Sequence, residues 1–225
     1  MFKKLFELWH KEDLLQQAFD DAVKMLEMTK EIYEQAISPL FGGKSLDVQK
    51  IYDMDKQINA FEISIRRKVL EHLSVSPQQD TTAALILTTI AVDIERIGDY
   101  AKNFVELWEL YGKSLEDIPM FDMLDRICKN ISEMFDNSIT AFKNADTETA
   151  RKVMAIHIIN SKDCEEIIAA LVRTPKSTES ATPNQEVLAA LAARYFKRTS
   201  AHLKNIASST INPFDRIGYK PESEK

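Results

Sequence analysis

The sequence contains few residues that interrupt regular structure. Its 225 residues include only 5 Gly and 7 Pro, and this scarcity favours long, unbroken elements. Cysteine is also scarce. The 2 cysteines are Cys128 and Cys164, and they are too far apart in the sequence to form a typical metal-binding motif. We therefore expect two buried, reduced thiols in a cytoplasmic protein and no cysteine-based metal site.

Long apolar runs and basic clusters are missing as well. The most apolar run, residues 83–92, is interrupted by Thr88 and Thr89 and is too short to span a bilayer. The N-terminus shows no signal-peptide pattern. Because the formal net charge is −6 and the basic residues are scattered, we do not expect the chain to bind nucleic acid. These features favour a cytoplasmic protein.

Amphipathic periodicity predicts three long helices in the first half, at about residues 12–37, 45–73 and 76–111. Ser38-Pro39 ends the first helix. Ser76-Pro77 is the expected start of the third, with serine as the N-cap and proline at the first helical position. The segment at residues 2–9 is also amphipathic. We expect it to cover the open end of a helical bundle, and binding to a membrane surface is the alternative.

The pattern of the first half recurs in the second half at an interval of 102 positions, without a gap. Matched pairs come from all three helices: Phe19 and Phe121, Tyr33 and Phe135, Ile51 and Val153, Lys102 and Lys204. A tandem duplication of a three-helix unit explains this agreement. The sequence therefore predicts an all-α fold of two tandem three-helix bundles, one in residues 1–112 and one in residues 113–225.

The third predicted helix carries an acidic motif. Glu95, Asp99 and Asn103 are each four residues apart, so they lie on one helical face. Two carboxylates one turn apart repel each other. They are tolerated either on a solvated face or in a cleft where an Arg, a Lys or a metal ion compensates their charge. Gly98 between them costs a helix interior about 1 kcal/mol relative to alanine, which predicts close approach of another helix.

The two copies differ at this motif. Glu95 is matched by Lys197, Asp99 by Ala201 and Gly98 by Ser200, whereas Arg96 and Asn103 recur as Arg198 and Asn205. Because the second copy forms the same helix without the acids, the acidic pair is not required by the fold and is a candidate functional site. We expect the recurring arginines to pair between helices, and the recurring asparagines to form hydrogen bonds across them.

Residues 93–103, Asp-Ile-Glu-Arg-Ile-Gly-Asp-Tyr-Ala-Lys-Asn, resemble the signature of the PhoU family of phosphate-uptake regulators. The resemblance implies a cytoplasmic, six-helix, two-repeat bundle that is often a homodimer. It also implies an iron-type or other divalent metal ion on the acidic motif. In this chain the implied ligands are Asp55, Glu95 and Asp99, although Asn59 replaces a second acid that is usual on the second helix.

The second metal site that the resemblance implies lacks its acidic ligands, because Lys197, Ala201 and Tyr195 replace them. His157, Asp163 and Glu165 are the residues that could rebuild a site on the fifth helix. Divergent PhoU-like proteins also occur beside or fused to sodium/phosphate cotransporters, and this chain resembles that branch.

These observations lead to one main functional hypothesis and two alternatives. The main hypothesis is a regulator of phosphate uptake that docks on phosphate transporter components, on a sensor histidine kinase, or on both, and reaches the membrane only through its partner. The chain shows no nucleophile–base pair, no glycine-rich phosphate loop and no nucleotide fingerprint, so we do not expect an enzyme. The alternatives are a metal-binding storage or redox protein, and a metal-free helical scaffold associated with a sodium/phosphate cotransporter.

Overall fold

The computed structural model describes residues 14–43, 45–75, 80–173 and 182–220. Within these ranges the chain forms six α-helices and no strand: α1 Leu14–Ile37, α2 Val48–Val75, α3 Thr81–Tyr111, α4 Phe121–Asn144, α5 Thr147–Arg173 and α6 Pro183–Ser208. Helices α1–α3 form the first bundle and helices α4–α6 the second, which confirms the predicted all-α fold. The amphipathic segment at residues 2–9 and the Ser76-Pro77 cap lie outside the described residues.

Local sequence signals set several helix ends. Helix α1 gives way to a 3-10 turn at Ser38–Phe41, where proline opens the turn and Gly42 closes it with a φ of 76°. Gly112 ends α3 in the same left-handed conformation, with a φ of 73°. At the start of α6, Thr182 and Gln185 form a reciprocal capping box.

Helix α3 begins later than the sequence predicted. Its first residue is Thr81, and the N-cap is Asp80 with a φ of −125°. The Asp80 carboxylate lies 3.0 Å from Nε2 of His72 near the end of α2. This contact ties the non-helical residue to the preceding helix, and the serine–proline pattern gave no sign of it.

The two halves share one core, and its aromatic contacts reveal how the copies face each other. Tyr33 of α1 packs on its counterpart Phe135 of α4, with ring centroids 5.2 Å apart. Phe19 packs on Phe142, and its counterpart Phe121 packs on Phe41, which is next to Leu40, the counterpart of Phe142. Equivalent positions therefore meet around an approximate twofold axis. Burial of each such side chain contributes about 1.5–3 kcal/mol, so the two copies stabilise each other.

Helices α3 and α6 pack together beside this aromatic contact. Phe104 of α3 and Phe196 of α6 are fully buried, with ring centroids 4.8 Å apart. Tyr100 and its counterpart His202 also meet, at 5.9 Å. The helix with the acidic motif is therefore fixed on one side by the second repeat and on the other by α2.

Hydrogen bonds hold the C-terminal tail on the body of the protein. Phe214 and Tyr219 are 38% and 63% exposed, so neither ring packs fully on the body. Instead, the Gly218 amide donates to Ser208 Oγ at 2.7 Å, and Lys204 Nζ donates to the Gly218 carbonyl at 2.6 Å. In the described parts of the chain, no helix combines the length and the apolar character needed to cross a membrane.

Candidate functional site

The candidate site lies between α2 and α3, beside Gly98. Gly98 is buried. A Cβ atom placed on it would lie 3.6 Å from Ile58 Cδ1 and 3.8 Å from Asp55 Oδ1 of α2. The predicted approach of another helix at Gly98 is thus present. These distances are ordinary van der Waals contacts, however, so a methyl group would fit.

The structure brings two of the three predicted ligands together through a lysine. Lys102 Nζ lies 3.0 Å from Asp55 Oδ2 and 3.0 Å from Asp99 Oδ1. The other Asp99 oxygen accepts a hydrogen bond from Arg96 Nη1 at 2.9 Å. An ammonium group therefore joins the α2 carboxylate to the α3 carboxylate.

Burial and ion pairing act in opposite directions on Lys102. Burial lowers the pKa of its amine, but hydrogen bonds to Asp99 and Asp55 outweigh that effect, and the pKa is raised overall. The lysine side chain is 22% exposed and that of Asp55 only 11%. The hydrogen bonds to Asp99 and Asp55 therefore keep the Lys102 amine protonated at neutral pH, although its side chain is largely removed from water.

Glu95, the third predicted ligand, makes its ion pair elsewhere. Its carboxylate lies 3.6 Å from Arg96 Nε, and its side chain is 18% exposed. Burial, followed by the negative charge of Asp99, raises its pKa. Glu62 of α2 also contributes to that increase, and Glu62 itself pairs with Arg66 at 2.8 Å.

The donor set does not fit the metal ion that the resemblance implies. Carboxylates suit hard divalent ions, but the facing oxygens of Asp55 and Asp99 already accept hydrogen bonds from Lys102. Asn59 turns its amide nitrogen, rather than its oxygen, toward Asp55 at 3.3 Å. Nowhere in residues 14–43, 45–75, 80–173 and 182–220 do three or more His, Cys, Asp or Glu side chains form a group that could hold a metal.

An open cavity of about 440 Å³ adjoins the Lys102 bridge. Its lining residues come from α2 and α3 and are mostly polar: Tyr52, Arg96, Asp99, Tyr100, Lys102, Asn103 and Glu106. Because Arg96 and Lys102 line it together with Asp99 and Glu106, the cavity has charges of both signs. Asn103, which the sequence assigned to a hydrogen bond between helices, is half-buried and lines the cavity.

The predicted structural roles of the recurring arginines and asparagines are met only in part. Arg96 pairs with Glu95 and Asp99 on its own helix, so the predicted pairing between helices is wrong for this residue. These acids lie one position before and three positions after Arg96 on α3, within reach of its guanidinium group. Arg198 is exposed. Asn205 does bond across helices, since its Nδ2 donates to Asp93 Oδ1 at 3.0 Å.

Sequence reasoning missed the pair formed by Asp93 and His202. Asp93 is 7% exposed, and its Oδ1 lies 2.7 Å from His202 Nδ1. Asp93 belongs to the recognised stretch, and His202 is the counterpart of Tyr100. Their contact depends on which helices of the two copies meet, which the interval of the repeat did not reveal.

The residues suggested for a rebuilt site on α5 do not come together. His157 Nδ1 lies 2.9 Å from Ser200 Oγ, Asp163 accepts a hydrogen bond from Arg126 at 2.9 Å, and Glu165 pairs with Lys197 at 2.6 Å. Burial, followed by the charges of Lys204 and Lys197, lowers the pKa of His157 to about 4. The three side chains thus have three separate partners.

The PhoU domain family matches this chain twice, at residues 22–107 and at residues 124–210. A phosphate-specific transport system accessory protein PhoU homolog from Xylella fastidiosa (strain 9a5c) is 25% identical over 220 residues, which cover 95% of this chain and 90% of that protein. A PhoU homolog of the same description from Synechocystis sp. (strain PCC 6803) is 22% identical over 201 residues, covering 87% of each chain.

Two solved structures share the fold. PhoU from Pseudomonas aeruginosa superimposes with a TM-score of 0.71 at 20% identity, over 88% of this chain and 95% of that one. The phosphate transport system regulatory protein PhoU from Streptococcus pneumoniae gives a TM-score of 0.73 at 15% identity, over 88% and 93%. With two family domains, one in each three-helix half, this chain belongs to the PhoU family.

Proposed function

We propose that this protein regulates inorganic phosphate uptake by docking on phosphate transporter components, on a sensor histidine kinase, or on both. The observation that carries the proposal is the pair of PhoU domains at residues 22–107 and 124–210. Similar proteins from Xylella fastidiosa and Synechocystis are accessory proteins of phosphate-specific transport systems. An accessory protein of a transport system acts through the proteins that carry out transport.

The α2–α3 face supports docking better than catalysis. Its charged side chains pair with one another, and Arg96 at its edge remains 56% exposed. Such a face offers charges of both signs to a partner, and electrostatic complementarity of this kind provides specificity. The function needs no bond-making step, so we propose that the protein is not an enzyme. It works in the cytoplasm and reaches the membrane through its partner.

Exposed apolar side chains recur at equivalent positions of the two copies and support protein–protein contact. Leu70 near the end of α2 is 68% exposed, and its counterpart Val172 near the end of α5 is 78% exposed. Exposed apolar side chains mark docking surfaces where they form a patch with their neighbours. We propose that these helix ends contact a partner, which includes a second copy of this chain in a homodimer.

A genetic test decides the regulatory role. Deletion of the coding sequence in its host should alter uptake of radiolabelled phosphate in phosphate-replete cells, and the wild-type protein should restore it. A Leu70→Gln/Val172→Gln variant should fold normally but restore regulation poorly, whereas a Lys56→Met variant should restore it fully. Lys56 is a fitting control because it is exposed and because its ion pair within the described residues is with neighbouring Asp53 on α2.

Partner capture tests the docking mechanism. Crosslinking of the full chain in phosphate-replete cells, followed by mass spectrometry, should recover a phosphate transporter subunit or a sensor kinase. Unchanged phosphate uptake after deletion, together with no such partner, would refute the proposed function. Recovery of a sodium/phosphate cotransporter with unaltered regulation would favour the scaffold alternative.

A further inference from the structure

We propose that Lys102 is the resident cation of the first-repeat site, so that the protein works without a metal ion at Asp55, Glu95 and Asp99. The ammonium nitrogen lies 3.0 Å from one oxygen of Asp55 and 3.0 Å from one oxygen of Asp99. It occupies the place between α2 and α3 where a bridging metal ion would have to bind. Lys102 neutralises the carboxylates of the site, and this role does not depend on whether the protein regulates phosphate uptake.

Geometry makes the lysine and a metal ion mutually exclusive. A divalent ion bound to carboxylates sits about 2.0–2.6 Å from their oxygens. An ion bridging Asp55 and Asp99 would therefore lie within van der Waals contact of Lys102 Nζ. Two cations so close repel strongly in a site that is only partly hydrated. Binding a metal would require Lys102 to leave both carboxylates.

Three basic side chains of this face pair with four of its carboxylates. Each carboxylate has a basic partner: Glu62 pairs with Arg66, Glu95 with Arg96, Asp99 with Arg96 and Lys102, and Asp55 with Lys102. Buried or half-buried carboxylates need a compensating cation, and side chains of this chain supply it. A metal ion at Asp55 and Asp99 would have to displace the ammonium group that these carboxylates already share.

In the second repeat, the lysine at the equivalent position has a different partner. Lys204, the counterpart of Lys102, donates instead to the Gly218 carbonyl at 2.6 Å. Its repeat has His157 and Ala201 where the first has Asp55 and Asp99. The same helical position therefore serves two different contacts, and in the first copy the lysine turns to the carboxylates that face it.

Manganese binding to the full, untagged chain tests the proposal. Mn²⁺ is the probe, and its free concentration is followed by electron paramagnetic resonance. We expect no saturable binding to the wild type that depends on the carboxylates. Lys102→Met keeps an unbranched side chain of similar length but removes the charge, so this variant should bind Mn²⁺ at least tenfold more tightly than the wild type. Lys102→Arg should behave like the wild type, because it keeps a cation.

Thermal unfolding supplies a second readout. Without the ammonium group, Asp55 and Asp99 repel each other, so Lys102→Met should lower the Tm by about 5 °C, and Mn²⁺ should restore much of that loss. The Tm of the wild type and of the matched control Lys56→Met should not respond to Mn²⁺. Adding Asp55→Asn and Asp99→Asn to Lys102→Met should abolish the response.

Either of two results overturns the proposal. One is near-stoichiometric Mn²⁺ on the wild type that disappears in Asp55→Asn/Asp99→Asn, which would make this a metal site despite the lysine. The other is a folded Lys102→Met protein that binds Mn²⁺ no better than the wild type, which would show that the lysine does not occupy a cation site. If Lys102→Met does not fold, the wild-type and Lys102→Arg titrations decide the matter alone.

Discussion

Asp93 Oδ1 and His202 Nδ1 lie 2.7 Å apart across the boundary between the two halves of the molecule. The same Asp93 oxygen also accepts a hydrogen bond from Asn205 Nδ2 at 3.0 Å. One buried carboxylate of α3 thus holds two side chains of α6. The contact fixes the rotation of α3, and with it the direction in which the acidic motif faces α2.

Asp93→Ala should lower the free energy of unfolding by about 1–3 kcal/mol, because it leaves the half-buried polar groups of His202 and Asn205 without their acceptor. Urea denaturation of the full chain measures this change. Asp93→Asn keeps a carbonyl acceptor and should cost less. A loss below about 0.5 kcal/mol for Asp93→Ala, the level of an ordinary surface substitution, would show that this contact does not hold the halves together.

The fold could be predicted because its signals are local and occur twice. Helical periodicity, the shortage of glycine and proline, and the interval of 102 residues all point to a duplicated three-helix unit. The structure keeps that interval at the start of the third helix of each unit, since Thr81 opens α3 and Pro183 opens α6. Helix α3 began later than predicted because the Asp80–His72 contact is tertiary, and such contacts leave no periodic trace.

The site could be predicted only in outline. Spacing placed Glu95 and Asp99 on one face and showed that a cation must compensate them if they lie in a cleft. It could not decide between an ion and a side chain, because the direction of Lys102 depends on how α2 crosses α3. The same dependence explains Asp93, whose partners His202 and Asn205 lie in the other repeat.

Gly98→Ala should stabilise the protein by about 0.5–1 kcal/mol. Glycine in a helix interior costs about that much relative to alanine, and the added Cβ would meet only ordinary contacts of 3.6–3.8 Å. Gly112→Ala is the matched control, because nothing lies within 4 Å of its Cβ position but its φ is +73°. That variant should be destabilised by about 1–2 kcal/mol. Urea denaturation of both proteins measures the difference. Destabilisation by Gly98→Ala would mean that α2 and α3 approach more closely than the structure shows.

His157 should make stability fall as the pH falls through the range from 6.5 to about 4. Its pKa is lowered in the folded protein by burial and by Lys204 and Lys197, so the unfolded chain binds a proton first. Protonation below the ordinary pKa therefore favours unfolding, by up to about 1.4 kcal/mol per pH unit. His157→Gln cannot titrate and should lose this part of the dependence. Urea midpoints of both proteins at pH 7, 6, 5 and 4 measure it, and parallel pH profiles would contradict the assignment.

Tyr33 lies in the core, and the residue at the equivalent position of the second repeat is Phe135. Its ring is fully buried against Phe135 and Phe104, and among the described residues its hydroxyl has no hydrogen-bond partner. A buried hydroxyl without a partner costs about 1–3 kcal/mol. Tyr33→Phe should therefore raise the free energy of unfolding by about 1 kcal/mol or more, as measured by urea denaturation.

The reciprocal change makes this prediction specific to the hydroxyl. Phe135→Tyr buries a new hydroxyl on the other side of the same contact, so it should destabilise the protein by about 1–3 kcal/mol. The pair of variants exchanges one oxygen atom between equivalent positions and leaves the aromatic contact in place. If Tyr33→Phe instead lowers stability, the Tyr33 hydroxyl has a partner in solution, and an ordered water molecule in the core between α1 and α4 would be the group to look for.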